Sequence, residues 1–133
     1  MLLVVDVGNT NITFGVFAEQ KLEATFRMTT KLQRTSDEYG ICIRDLISHN
    51  KLNPEKIRDV IIASVVPNVM HSLLSSFIKY FDIKPVVVEP GIKTGIRIAT
   101  ENPRQLGADR IVDAAAAFEQ YGGAPVATTF RFL

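Results

Sequence analysis

The sequence predicts an α/β domain: a mixed five-stranded sheet in the element order βββαβαβα, with helices on both faces. Three observations carry that expectation. Three β-type runs follow one another at the start of the 133-residue chain. The elements after them alternate between helical and strand periodicity. Two of the later runs are apolar throughout, as strands buried on both faces are.

Leu2 to Val7 is an apolar, β-branched run that ends at the turn signal Gly8-Asn9-Thr10. Ile12 to Phe17 alternates around Gly15, and Lys21 to Met28 alternates again. The tight connections predict an antiparallel meander. Thr35-Ser36-Asp37-Glu38 has the capping-box pattern, with Thr35 as cap, and opens a helix to about Ser48. Cys42, Ile43, Leu46 and Ile47 form its inner face. Asn53-Pro54 breaks the chain. Asp59 to Val66 is a strand covered on both faces, and Pro67-Asn68 starts a second helix. There Met70, Leu73, Leu74, Phe77, Ile78 and Phe81 follow the helical period and form a core stripe. Pro85 to Val88 is another covered strand. A loop follows, then an alanine-rich helix over 107–121, stopped by Gly122-Gly123. This order resembles the ribonuclease H-like unit, which is also the repeated half of the actin, hexokinase and acetate kinase superfamily. Such a fold leaves function open.

Composition narrows the class. At 47% hydrophobic the chain is not a disordered one. A net charge of +1 gives no electrostatic footprint for nucleic acid or a membrane surface. The single cysteine, Cys42, excludes an internal disulfide and suits a reducing cytosol; it reads as a small core residue. His49 and His71 have no partner at zinc-type spacing. The N-terminal apolar run is brief and lacks a basic flank, so neither a signal peptide nor a membrane span is expected there, and the expected location is cytoplasmic.

Asp6-Val7-Gly8-Asn9-Thr10-Asn11-Ile12-Thr13 carries the most chemistry. Gly8 permits a sharp turn and a close approach of backbone to an anion. Exposed N–H groups with Asn and Thr side chains can donate to phosphate oxygens. Asp6 is negative and cannot itself favour phosphate; holding Mg²⁺ is the role that suits it. The competing reading is a hairpin whose Asp and Asn satisfy a turn. A nuclease would also place an Asp on the first strand, but it needs further carboxylates converging there. Asp37 and Glu38 are candidates, whereas the end of the fourth strand, Ala63-Ser64-Val65-Val66-Pro67, has none.

Glu101-Asn102-Pro103-Arg104-Gln105-Leu106-Gly107-Ala108-Asp109-Arg110 leads into the last predicted helix. Gly107 allows a ligand to approach, Asp109 can accept a proton from a substrate hydroxyl, and Arg110 offers a donor fork for a carboxylate. The plainer reading is an acid near a helix start beside a surface Arg. Asp113 follows Arg110 by three residues, a spacing at which the two can pair on a helix surface.

Together these segments resemble type III pantothenate kinases. Asp6-Val7-Gly8-Asn9-Thr10-Asn11, followed by Gly15, is similar to the family's first phosphate motif. Asn102-Pro103 with Gly107-Ala108-Asp109-Arg110 is similar to its pantothenate-binding segment, and Asp59 to Pro67 to one of its strands. The resemblance runs from Met1 to about Pro125. It implies ATP-dependent phosphorylation of the primary hydroxyl of pantothenate to 4'-phosphopantothenate, the first step towards coenzyme A. Mg²⁺ and a monovalent cation, K⁺ or NH4⁺, and a homodimer are implied with it. Carried over, Asp6, Val7, Gly8, Asn9, Thr10, Asn11, Ile12 and Thr13 contact ATP phosphate, with Asp6 at the metal. Thr100, Gly107, Ala108, Asp109 and Arg110 hold pantothenate, with Asp109 as the catalytic proton acceptor. Members of the family have also been described as accessory factors for transcription, which supplies the alternative reading, a non-catalytic regulatory factor. Neutral charge and the lack of a DNA-reading motif count against direct DNA contact.

The chain departs from the pattern twice. Thr100 stands where family members often carry Tyr. The family also continues into a second phosphate motif, Asp-x-Gly-Thr-Ala-x-Thr, whereas Gly122-Gly123-Ala124-Pro125-Val126 here runs straight into Ala127-Thr128-Thr129-Phe130. The expected division is a phosphate- and pantothenate-binding domain over 1–123 and an aberrant or truncated start of a missing C-terminal domain over 124–133. That motif's Asp, a ligand for the monovalent cation, and the adenosine site would be lacking. Little or no kinase activity is expected of the 133 residues alone, because positioning between two halves is most of phosphoryl-transfer catalysis.

Overall fold

The computed structural model of the chain describes residues 1–19, 21–64 and 66–88. Strands β1 (Leu2–Val7), β2 (Asn11–Ala18) and β3 (Lys21–Thr29) precede helix α1 (Ser36–His49). Strand β4 (Asp59–Ser64), helix α2 (Met70–Phe81) and strand β5 (Val86–Val88) follow. The five strands form one sheet in the order β3-β2-β1-β4-β5. β1 pairs antiparallel with β2, and β2 with β3, while β4 runs parallel to both β1 and β5. The mixed sheet and the opening meander are as the sequence predicts. The helix expected over 107–121 and the division at residue 123 lie outside the described residues.

Side chains alternate across the sheet, so the register assigns each residue a face. Leu3, Val5 and Val7 of β1, with Ile12, Phe14 and Val16 of β2 and Val60 and Ile62 of β4, meet Tyr39, Ile43 and Ile47 of α1 and Leu73 and Phe77 of α2 in one core. Both described helices therefore cover the same face. Each such side chain contributes roughly 1.5–3 kcal/mol through burial. Phe14 stacks on Phe26 with ring centroids 5.1 Å apart. On the opposite face Leu2, Val4, Phe17 and Ile61 are buried as well. Central β1 therefore reads as an unbroken apolar run apart from Asp6.

The caps form as predicted. Thr35 Oγ1 accepts from the Glu38 backbone N–H at 3.1 Å, and Glu38 Oε1 accepts from the Thr35 N–H at 2.9 Å. On α1, Ile43 and Ile47 are fully buried, and Cys42 and Leu46 are half-buried against the core. Tyr39 and Gly40, which helical periodicity did not single out, are buried too.

Four expectations are corrected. β4 ends at Ser64 rather than Val66, because Ser64 Oγ accepts from Val66 N–H at 2.9 Å and donates to Val66 O at 3.1 Å, a local turn that replaces the ladder. The second helix starts at Met70, since Pro67–Val69 forms a single 3₁₀ turn. Ile78 is 54% exposed, because Leu73, Phe77 and Tyr80 set the phase of α2 toward α1 and rotate Ile78 out. Val86 and Val87 of β5 are exposed rather than covered, the strand having a described neighbour only on its β4 side. Among the described residues no helix is long and apolar enough to cross a membrane.

Candidate functional site

The site grows from the register of β1. Asp6 pairs with Thr13 of β2 and with Ala63 of parallel β4, and Ala63 in turn pairs with Val88 of β5. The carboxyl ends of all three parallel strands thus lie along one edge. β1 is also where the antiparallel meander gives way to the parallel half. Open α/β sheets bind ligands outside the strands' carboxyl ends at such a change of direction.

The turn joining β1 to β2 sits on that edge. Gly8 N–H donates to Asn11 O at 2.9 Å and closes the turn. A Cβ at Gly8 would stand 3.1 Å from Asn11 O, so the close backbone approach favours glycine. Thr30, just past β3, donates its Oγ1 to Gly8 O at 2.8 Å and its backbone N–H to Thr10 O at 2.9 Å. Asn9 and Thr10 are exposed, and among the described residues neither donates its backbone N–H to another backbone carbonyl. A short arc of outward amides beside small polar side chains is what an anion needs.

The eight residues read from sequence divide by face. Val7 and Ile12 lie fully buried in the core, so only their backbone can serve a ligand. Asp6 and Thr13 share the opposite face of the sheet; both are half-buried, as are Gly8 and Asn11. One carboxylate among amide and hydroxyl oxygens is a hard donor set that suits Mg²⁺, an ion usually held by one or two carboxylates plus phosphate oxygens and water. Among the described residues there is no cluster of three or more His, Cys, Asp or Glu side chains that could hold a metal.

The two helix acids a nuclease would recruit are engaged elsewhere. Asp37 Oδ1 accepts from Lys79 Nζ at 2.6 Å and from the Tyr80 hydroxyl at 2.7 Å. The Lys79 bond first, then that from Tyr80, holds the Asp37 carboxyl below its ordinary range. Glu38 is likewise lowered, chiefly by the Thr35 backbone N–H. Thr30 was missed by sequence reasoning: a lone Thr after an alternating run carries no signal of a partner 22 residues away. Thr100, Gly107, Ala108, Asp109 and Arg110 lie outside the described residues.

A family model described as type III pantothenate kinase matches residues 2–130. A curated type III pantothenate kinase of Agathobacter rectalis is 62% identical over 123 residues, which cover 92% of this chain and 47% of that protein. The chain spans about half the length of the curated relatives it matches. Among solved structures, a ROK hexokinase from Thermus thermophilus superposes with a TM-score of 0.50 at 11% identity, over 66% of this chain and 34% of that one. RuvC of T. thermophilus, solved with a Holliday junction substrate, gives a TM-score of 0.54 at 13% identity, over 91% and 95%. At such identities the two structures speak for the fold alone.

Proposed function

We propose, on the premise that this chain belongs to the type III pantothenate kinase family, that it forms the phosphate- and pantothenate-binding half of an enzyme transferring the γ-phosphoryl group of ATP to the primary hydroxyl of pantothenate. The observation that carries the reading is the glycine turn that follows β1 at the carboxyl edge of the sheet, with Asp6 one residue inside the end of that strand and with tip amides that, among the described residues, donate to no backbone carbonyl. In this reading the Asn9 and Thr10 N–H groups receive phosphate oxygens, and Asn11 and Thr13 flank them. Asp6 holds Mg²⁺, which when bound neutralises phosphate charge and aligns the transferring group.

The substrate end of the proposal rests on the family match, which continues through residue 130. Asp109 accepts the proton of the pantothenate hydroxyl as the oxygen attacks phosphorus. Arg110 pairs with the pantothenate carboxylate, Gly107 and Ala108 allow close approach, and Thr100 borders the pocket. K⁺ or NH4⁺ completes the proposed cofactor set, and the proposed state is a cytoplasmic homodimer. For the 133 residues taken alone we propose ligand binding with little turnover, since one wall of a nucleotide cleft neither excludes water nor aligns two substrates.

Backbone NMR of the ¹⁵N-labelled chain titrated with Mg·ATP tests the first part. Shifts centred on the amides of Gly8, Asn9 and Thr10 are expected, and a response spread elsewhere with that turn silent would overturn it. Pantothenate-dependent ADP formation by the same chain, abolished in Asp109→Asn, would overturn the low-turnover part.

A further inference from the structure

We propose that Thr30 is a positioning residue for the phosphate turn, fixing the direction of its amides and thereby its affinity for a phosphoryl group; this rests on the reading of the Gly8–Thr10 turn given above. Thr30 grips the turn at both ends. Its Oγ1 donates to Gly8 O at 2.8 Å, and its backbone N–H donates to Thr10 O at 2.9 Å.

A peptide group is planar and trans, so its C=O and the following N–H point in opposite directions. None of the described peptide bonds is cis. A Gly8 carbonyl drawn toward Thr30 therefore turns the Asn9 N–H away from β3. The Thr10 carbonyl, drawn the same way, turns the Asn11 N–H in the same sense. Both carbonyl dipoles, which would repel phosphate, are occupied by a donor. The Thr30 backbone bond survives any substitution except proline, whereas the Gly8 bond depends on the hydroxyl. Among the described residues, the hydroxyl bond is the one that holds the first peptide of the turn, whose N–H belongs to Asn9. Glycine at position 8 leaves that peptide easy to rotate, so the side chain of Thr30 supplies a restraint that Gly8 by itself lacks.

The test compares Thr30→Val, which keeps the shape and removes the donor, with Thr30→Ser, which keeps the donor. Mg·ATP affinity is read by NMR from the Asn9 and Thr10 amides, well below the melting temperature. Thr30→Val is expected to weaken binding about fivefold, as loss of one neutral hydrogen bond would, and Thr30→Ser to restore it to within about twofold. In the ligand-free protein, Thr30→Val should also speed solvent exchange of the Asn9 amide, while Thr30→Ser leaves it unchanged. A lower melting temperature for Thr30→Val with unaltered affinity would mean a purely structural role and overturns the proposal. Wild-type protein that does not respond to Mg·ATP would overturn the phosphate reading itself. In that case the exchange rate still decides whether Thr30 sets the turn, and an unaltered rate removes that claim as well.

Discussion

The ring of Tyr80 on α2 lies against the backbone of Gly40 on α1: a Cβ at Gly40 would stand 2.2 Å from Tyr80 Cδ1 and 2.4 Å from Cγ. The ring has little room to yield, because its hydroxyl donates to Asp37 and its backbone carbonyl accepts from Arg44 Nη1 at 3.0 Å. The helices therefore meet through a glycine, and the close approach brings Ile43, Ile47, Leu73 and Phe77 into one core. At an open helix position Gly→Ala would stabilise by about 0.8–1 kcal/mol. Here Gly40→Ala should destabilise by about 1–3 kcal/mol, the range for overpacking. Urea unfolding followed by circular dichroism reads the sign, and adding Tyr80→Ala should relieve most of the strain.

Asp37 and Glu38 make the first turn of α1 sensitive to acid. Both carboxyls are held below their ordinary values of 3.8 and 4.5, Asp37 chiefly by Lys79 and Glu38 chiefly by the Thr35 N–H. The unfolded chain then binds more protons than the folded one as acid is added. The contribution is complete above the ordinary values and is lost as pH falls through them toward the folded pKa. The melting temperature should drop between about pH 5 and pH 3. Glu38→Gln and Asp37→Asn should each flatten that drop, and identical slopes in wild type and both variants would contradict the assignment.

What the sequence made legible was what depends on local pattern. The Thr35–Glu38 box, the alternation of β2 and the continuous run of β1 each encode their element within a few residues, so the opening antiparallel meander followed from short connections. What stayed hidden depends on where elements meet. Nothing in the spacing of α2 says that Tyr80 rather than Ile78 faces α1, because both flank the stripe begun by Leu73 and Phe77. Ser64 ends β4 through a hydroxyl turn that an apolar run conceals. At the site, Asp6 and Gly8 were visible as residue types, whereas Thr30 reaches the turn only through the β2–β3 pairing that sets Asn11 against Thr29.

The phase of α2 gives a sharp contrast between neighbours. Phe77 is fully buried and packs on Phe81 with centroids 5.4 Å apart, while Ile78 is 54% exposed. Phe77→Ala should lose about 3–5 kcal/mol, the range for emptying a core aromatic site. Ile78→Ser should stay within about 0.5 kcal/mol of wild type, as surface changes do. Chemical denaturation of the two variants measures both, and a large loss at Ile78 would mean that another surface covers this flank in solution.

Asp6 separates metal holding from simple structure by a change of sign. It lies at the carboxyl edge of β1 between Thr13 and Ala63, beside the turn proposed to take phosphate. Asp6→Asn keeps the size of the side chain and one accepting oxygen but removes the charge. With Mg²⁺ present, a carboxylate that holds the ion strengthens ATP binding, so the variant should bind more weakly by about tenfold or more. With Mg²⁺ chelated, a carboxylate whose help to ATP binding runs through the ion instead repels the phosphates, so the variant should bind ATP as well as wild type or better. A residue that merely supports the turn would weaken binding in both conditions alike. Titrations of each protein with ATP, with Mg²⁺ and with EDTA, therefore distinguish the two roles without any need for turnover.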